Sequence, residues 1–354
     1  LVRIAGCLAV FLPTVAGCSH ERPATRPGPN QGESRSAVAL KRLSRPLLSA
    51  GDFHTCGLKI DGSAVCWGAG IDSEDCNPGA DENHCGQAAS PPRTFVDISA
   101  GGRHTCGIET DGSVTCWGYN AHGQSSPPDG SFVRISAGAN HTCGIRADGA
   151  LTCWGAGRKR QDCRFPDWEC GQSIHPEGKF VQVSAGWVHT CGIRSDGRID
   201  CWGTGNNAGS GGDSRWDHGQ VLPPAGSFSQ VAAAPMHTCA LAETGTVVCW
   251  GAGKQAGDCG QSDGDCGQSM PPGDTFTQVA ASWLCSCGIT GAGTISCWGS
   301  CPFDIPEGRF VQLAMGTGHV CAVGASGAVS CWGRGEPGAG MDCYGQNIPP
   351  EDFP

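Results

Sequence analysis

The chain has 354 residues, with 57 glycines, 23 prolines, 25 cysteines and only 16 % charged side chains. That composition describes short strands joined by tight turns, and no stretch after the N-terminal leader carries the sustained 3.6-residue apolar period of a long helix. The net charge of −10 becomes a formal −15 over residues 46–354, where 31 acidic residues face 16 basic ones; such a surface repels a phosphate backbone, so no nucleic-acid partner is expected.

Residues Ile4 to Val15 form an apolar stretch behind Arg3, too short to span a membrane and of the length of a signal-peptide core. It ends in Val15-Ala16-Gly17-Cys18. That tetrapeptide resembles the bacterial lipobox, in which the cysteine is lipidated on sulfur and becomes the mature N-terminus; an ordinary signal cut after small residues is the alternative. The resemblance implies a lipoprotein signal peptide over residues 1–17 and lipidation at Cys18. Ser19 stands where an Asp would suggest inner-membrane retention, which implies an outer-membrane lipoprotein facing the periplasm or the exterior. Residues 18–45 carry Pro23, Pro27, Pro29 and a run of Arg and Ser with few apolar side chains, and they read as a basic, disordered tether.

From residue 46 to the end one unit recurs seven times: a His-Thr-Cys-Gly type opening, an Asp-Gly type turn, and a Cys-Trp-Gly close. The cysteines ten residues apart are Cys56 and Cys66, Cys106 and Cys116, Cys143 and Cys153, and Cys191 and Cys201. Cys239 and Cys249, Cys287 and Cys297, and Cys321 and Cys331 complete the series. In the second copy Phe95 to Gly101 alternates apolar and polar residues, as a half-buried strand does, and Gly102-Arg103 loops to a second strand from His104. A three-residue turn centred on Asp111, with Gly112 left-handed, then pairs 108 with 114, 107 with 115 and 106 with 116. The two sulfurs face each other across that hairpin. In an exported chain they form a disulfide framework, whereas zinc wants four ligands at closer spacing than this ladder supplies within one copy. Each bridge closes a short loop and stabilises by about 2 to 3 kcal/mol in chain-entropy terms.

After Cys-Trp-Gly most copies carry a Gly-Gln and then a Pro-Pro pair, as at Gly123-Gln124 and Pro127-Pro128. A short edge strand is expected at each Gly-Gln, with proline at the following turn. Three inserts hold a second cysteine pair, Cys76 with Cys85, Cys163 with Cys170 and Cys259 with Cys266, read as disulfide-closed loops. Of Cys285, Cys301 and Cys343 only two can pair with one another; Cys285 with Cys301 is preferred, leaving Cys343.

The unit Gly-x-x-His-Thr-Cys-Gly, Asp-Gly, Cys-Trp-Gly, Gly-Gln closely resembles the repeat of the regulator of chromosome condensation family, in a cysteine-paired bacterial version covering residues 46–354. The resemblance implies an all-β fold, a seven-bladed β-propeller, and seven copies are present. Pro349-Pro350-Glu351-Asp352-Phe353 stops where a Val-x-Val-Ser-Ala-Gly strand should follow, and Leu47-Leu48-Ser49-Ala50-Gly51 supplies it. The ring is therefore expected to close by the N-terminal strand meeting the C-terminal segment, which leaves no open blade edge.

No catalytic triad, phosphate-cradling loop or paired catalytic carboxylates stand out, so neither an enzyme nor a cofactor is expected. The recurrent His54, His104, His141, His189, His237 and His319 read as a shared structural hydrogen bond, and the Trp of each Cys-Trp-Gly as blade packing. Where repeats differ is where function is expected. In an antiparallel meander the first-to-second and third-to-fourth connections share one face, and there the varied residues include Phe53, Arg103, Asn140, Trp187, Met236 and Trp283. Their aromatic and Arg character is that of interface hot spots; the alternative is that some rings fold back to plug the central channel. The repeat also resembles the propeller-type β-lactamase inhibitor protein, which implies binding through such loops without implying the same partner. The expected function is that of a monomeric, non-catalytic, lipid-anchored envelope protein binding a protein or glycan. The family namesake implies guanine-nucleotide exchange on a small GTPase, which the leader and disulfides oppose. A propeller lyase is a further reading, as is a calcium-dependent lectin using Asp72, Glu74, Asp75, Asp81 and Glu82.

Overall fold

The computed structural model describes residues 47–71, 84–159, 170–205, 217–254, 266–334 and 344–353. The chain divides into units 1–39 and 40–354, and every described residue belongs to the second. Among the described residues there is no helix, and the strands form seven antiparallel sheets of three. The inner strands are Leu47–Ala50, Phe95–Ala100, Phe132–Ala137, Phe180–Ala185, Phe228–Ala233, Phe276–Ala281 and Phe310–Gly316. The middle strands are His54–Leu58, His104–Glu109, His141–Arg146, His189–Arg194, His237–Ala242, Cys285–Thr290 and His319–Gly324. The outer ones are Ala64–Gly68, Val114–Gly118, Leu151–Gly155, Ile199–Gly203, Val247–Gly251, Ile295–Gly299 and Val329–Gly333. Each inner strand touches the next, and that of blade 7 touches that of blade 1. The result is a closed seven-bladed propeller.

The hairpin register is the expected one: Ile108 opposes Val114, Gly107 opposes Thr115 and Cys106 opposes Cys116. Its turn is made by chemistry local to it. Asp111 Oδ1 accepts from the backbone N–H and the hydroxyl of Ser113, and Gly112 sits at φ 86°, where a side chain would be strained. The ten-residue cysteine pairs are bonded in all seven blades, and Cys285 is bonded to Cys301. Cys85, Cys170 and Cys266 are also disulfide-bonded. Their expected partners Cys76, Cys163 and Cys259 lie outside the described residues, as do Cys18, Cys343 and the acidic insert residues from Asp72 to Glu82.

Between blades the core is built from the first residue of each inner strand. Phe95, Phe132 and Phe180 are fully buried, and each ring lies against the glycine of the middle strand in its own blade. A Cβ on Gly107 would stand 2.4 Å from the Phe95 ring, and one on Gly144 or Gly192 would stand 2.6 Å from Phe132 or Phe180. The glycine of the His-Thr-Cys-Gly motif is thus a seat for an aromatic ring. In blade 1 the ring comes from the other end of the chain: Phe353 covers Gly57 and packs on Trp67, 5.4 Å between centroids. Phe353 thus takes in blade 1 the place that Phe95 takes in blade 2, ahead of the strand Leu47–Ala50, which is how the ring closes.

Hydrogen bonds join the blades as well. His54, His104, His141, His189, His237 and His319 each place Nε2 2.7–2.8 Å from the Thr or Ser hydroxyl of the next blade. Each of those hydroxyls donates to the main-chain carbonyl of a buried glutamine from the preceding blade, as Thr105 does to Gln87 and Thr142 to Gln124. The same carbonyl accepts from the indole N–H of the motif tryptophan, 2.8 Å for Trp117 and 2.9 Å for Trp154.

One expectation fails here. The Gly-Gln segments are turns, and no fourth strand forms among the described residues. The physical reason is that glycine adopts positive φ, 76° at Gly86 and 81° at Gly123. The glutamine then folds back so that its Oε1 accepts the backbone N–H two residues earlier, Cys85 for Gln87 and His122 for Gln124. Its carbonyl is committed to the next blade, so it is not offered to the outer strand of its own.

Two outcomes are expected. Phe353→Ala should destabilise the domain by about 3 to 5 kcal/mol, as removal of a fully seated core phenylalanine does, and by a similar amount to Phe180→Ala in denaturant titrations; an unchanged midpoint would show that the ring does not close through this residue. Acid should also loosen the ring. Burial lowers five of the six histidines to about 3 and His319 to about 4, whereas the unfolded chain takes up these protons near the ordinary value of 6.5. Stability should therefore fall as pH drops from 6.5 toward 3, by up to about 1.4 kcal/mol per histidine per pH unit. Asp97, pushed up to about 6 by burial, and Asp52, also raised, act in the opposite direction as two groups against six. Urea midpoints at pH 7, 6 and 5 with disulfides intact check this, and a flat profile would refute it.

Candidate functional site

The loops between inner and middle strands stand shoulder to shoulder around the channel. Their backbones hold them: Asp52 N–H donates to the Gly101 carbonyl, Gly102 N–H to that of Gly138, and Ala139 N–H to that of Gly186. The approach is close enough that a Cβ on Gly51 would stand 2.2 Å from the Gly101 oxygen, which is why glycine recurs there. On the outer side the second residue of each loop offers its carbonyl to the residue after Cys-Trp-Gly: Phe53 to Ala69, Arg103 to Tyr119, Asn140 to Ala156, Met236 to Ala252 and Gly318 to Arg334. Inner loops and outer connections therefore share one face, as strand parity requires.

This frame gives the two loop positions different directions. The first residues, Asp52, Gly102, Ala139, Trp187, Pro235 and Thr317, line a cavity of about 90 Å³ at the channel mouth. The second residues do not line it. The residues expected to form a single rim divide accordingly. Trp187 turns into the channel, and Trp283 packs against it edge to face, 4.5 Å between centroids. Phe53 and Arg103 lie over the outer connections: Phe53 meets the Tyr344 ring at 6.1 Å, and the Arg103 guanidinium stands 5.9 Å from the Tyr119 ring. Asn140 is half-buried, and Met236 is only 5 % exposed, a core residue rather than an accessible contact. The loop is only two residues long, so successive side chains must point to opposite sides, a difference that the aromatic content of the dipeptides does not reveal.

The residue that sequence reasoning passed over is Asp52. It stands at a variable loop position beside Phe53, but hot-spot character points to aromatic and Arg side chains before a carboxylate. Its Oδ1 accepts from Trp187 Nε1 at 3.3 Å and from the Thr317 hydroxyl at 2.9 Å, so that loops of blades 1, 4 and 7 meet across the mouth. Burial raises its carboxyl above the usual range, against the lowering effects of the Thr317 and Trp187 hydrogen bonds and the Arg103 charge. Asp52 is the only titratable side chain among the described lining residues. Tyr344 was also missed, being at the end of an insert with no repeat to mark it; its ring bridges Phe53 and His84, 4.9 Å from the latter. The motif histidines are fully buried between blades and held neutral; they do not belong to the site.

The regulator of chromosome condensation (RCC1) repeat matches residues 47–72, 95–124, 132–161 and 180–209. Among solved structures, the ectodomain of the Physcomitrella patens receptor kinase CR4 is similar at 21 % identity and a TM-score of 0.60, over 82 % of this chain and 73 % of that one. The CRINKLY WD40 ectodomain of the Arabidopsis thaliana receptor kinase ACR4 is similar at 23 % identity and 0.58, over 81 % and 94 %. Human WBSCR16 is similar at 17 % identity and 0.58, over 78 % and 86 %. At these identities the likeness establishes the fold. No curated protein matches the sequence.

Proposed function

This chain is a propeller of regulator of chromosome condensation repeats, and from that premise we propose that it is a non-catalytic, exported binding protein whose channel-mouth face receives a protein or glycan partner. The observation that carries the reading is the gathering of non-repeating aromatic and charged side chains on one face: Trp187 with Trp283, Phe53 with Tyr344 and His84, Arg103 with Tyr119. Aromatic and Arg side chains held by a rigid frame are the usual anchors of an interface. The opposite face carries the hairpin turns, which are Asp-Gly in blades 1 to 4 and Thr-Gly, Ala-Gly and Ser-Gly in blades 5 to 7, with no aromatic residue at these positions. A single titratable group in the cavity lining suits recognition better than proton transfer, which needs an acid and a base in reach of one another.

The disulfides belong to an oxidising compartment, as in exported and envelope proteins. With the lipobox-like Val15 to Cys18, they support an envelope lipoprotein in which Cys18 carries the lipid and residues 18–45 tether a monomeric propeller over residues 46–354. An oxidised framework also separates the chain from a cytoplasmic GTPase, so nucleotide exchange is not proposed.

Trp187→Ala with Trp283→Ala should weaken capture of an envelope partner by about 2 kcal/mol or more, roughly 30-fold, while Asp111→Lys with Asp148→Lys on the opposite face leaves capture intact. Quantitative pull-down with matched melting temperatures measures both, and the reverse pattern would place binding on the other face. Mass spectrometry of the mature N-terminus should find a lipidated Cys18; an unmodified cysteine there would refute the anchor.

A further inference from the structure

The centre of the binding face carries a more specific chemistry than its periphery. The channel-mouth cavity is walled by small residues and by the backbone of Gly51, Gly101, Gly138, Gly186 and Gly316, and its described lining residues include one carboxylate, the indole of Trp187 and no basic side chain. Asp52 Oδ1 is engaged by two donors, whereas Oδ2 accepts no hydrogen bond among the described residues. We infer that this cavity takes one primary ammonium group, held by Asp52 Oδ2 and the loop carbonyls beside it; the inference deepens, and rests on, the reading of this face as a binding surface.

The choice of ligand follows from what the site lacks. A guanidinium is held best as a fork on two carboxylate oxygens, and here only one is open. A divalent cation such as calcium takes six to eight oxygen ligands, several of them carboxylates, and here there is one carboxylate. A compact ammonium needs a single anionic oxygen and carbonyl oxygens with a spare lone pair for its other N–H groups. The carbonyls of Gly101, Gly138 and Gly186 each accept one backbone hydrogen bond at the mouth and can accept a second. Arg103 is the cation already near Asp52, but it does not line the cavity, and its guanidinium lies toward Tyr119.

The test uses the full chain in its oxidised form and calorimetric titration at pH 7.5. n-Butylammonium should bind saturably, methylguanidinium at least several-fold more weakly, and Asp52→Asn should lose about tenfold or more in butylammonium affinity. Asp97→Asn, which alters a carboxylate outside the cavity, should bind as the wild type does. An N-acetylated, C-amidated Gly-Gly-Lys-Gly-Gly peptide distinguishes sources: tighter binding than butylammonium assigns the ammonium to a protein partner's lysine, and equal binding assigns it to a free amine. Absence of saturable binding, equal binding of methylguanidinium, or an Asp52→Asn variant that binds like wild type would each overturn the site. The butylammonium–methylguanidinium comparison needs no variant, so misfolding of Asp52→Asn leaves the test intact. If the tryptophan pair abolishes partner capture while butylammonium fails to bind, the binding face stands and the ammonium site alone falls.

Discussion

One hydroxyl in each of six blades holds the ring together. The threonine of His-Thr-Cys-Gly, or Ser286 in its place, sits between an imidazole and a glutamine carbonyl. A carbonyl can only accept, so the hydroxyl proton goes to it, and the hydroxyl lone pair is left to accept from the histidine. The imidazole must then carry a proton on Nε2, while Nδ1, buried without a hydrogen-bond partner among the described residues, carries none. Desolvation, which drives these rings to low pKa values, enforces the same state. Hydrogen-bond geometry and burial thus demand one protonation state, and neither partner can change without stranding the other in the dry interior between blades.

A frame fixed by buried side chains and by loop backbones leaves the identity of the loop side chains free. From blade 1 to blade 4 neighbouring loops are joined around the channel mouth by N–H and C=O groups, which every residue except proline supplies. Asp52, Gly102 and Ala139 can therefore differ from one another without altering those bonds. That independence leaves room for a half-buried carboxylate, an indole and a hydroxyl to meet across the mouth although they come from blades 1, 4 and 7.

Much of the fold was legible because the repeat encodes it locally. The Asp-Gly turn sets the hairpin register, the register sets cysteine opposite cysteine, and both follow from spacing. Closure was legible too, since Phe353 ends one copy where Leu47 resumes it. The Gly-Gln turn was misread as a strand because its role is long-range: Gln87 binds Thr105 and Trp117 of the next blade, and alternation within a segment carries no trace of that. The site was half legible. Variability located the loops, but whether a side chain enters the channel, as Trp187 does, or covers the outer connection, as Phe53 does, depends on its place in a two-residue turn. Met236 shows the limit most plainly, since an apolar residue at a variable position is also what a local core requires.

The seam between blades 6 and 7 shows how the two kinds of variation differ. There the histidine is replaced by Cys285, the threonine by Val320, and the buried Gly-Gln by a segment from Cys301 to Phe303. Cys285 is bonded to Cys301, and Phe303, Ile305, Phe310, Leu313 and Val320 pack around them. Three groups that elsewhere form one relay have all become apolar or sulfur, and they lie on segments far apart in sequence. Replacing the histidine alone would leave a hydroxyl without its donor, and replacing the threonine alone would leave a buried imidazole without its acceptor, each at about 1 to 3 kcal/mol. Positions bound into the relay must therefore change together, as they do at this one seam. At the channel mouth the backbone bonds of blades 1 to 4 place no demand on the side chains, and Asp52 ties only Trp187 and Thr317 to itself. Positions that the relay does not bind are those that the scaffold leaves available to a ligand, and Asp52 and Trp187 are among them.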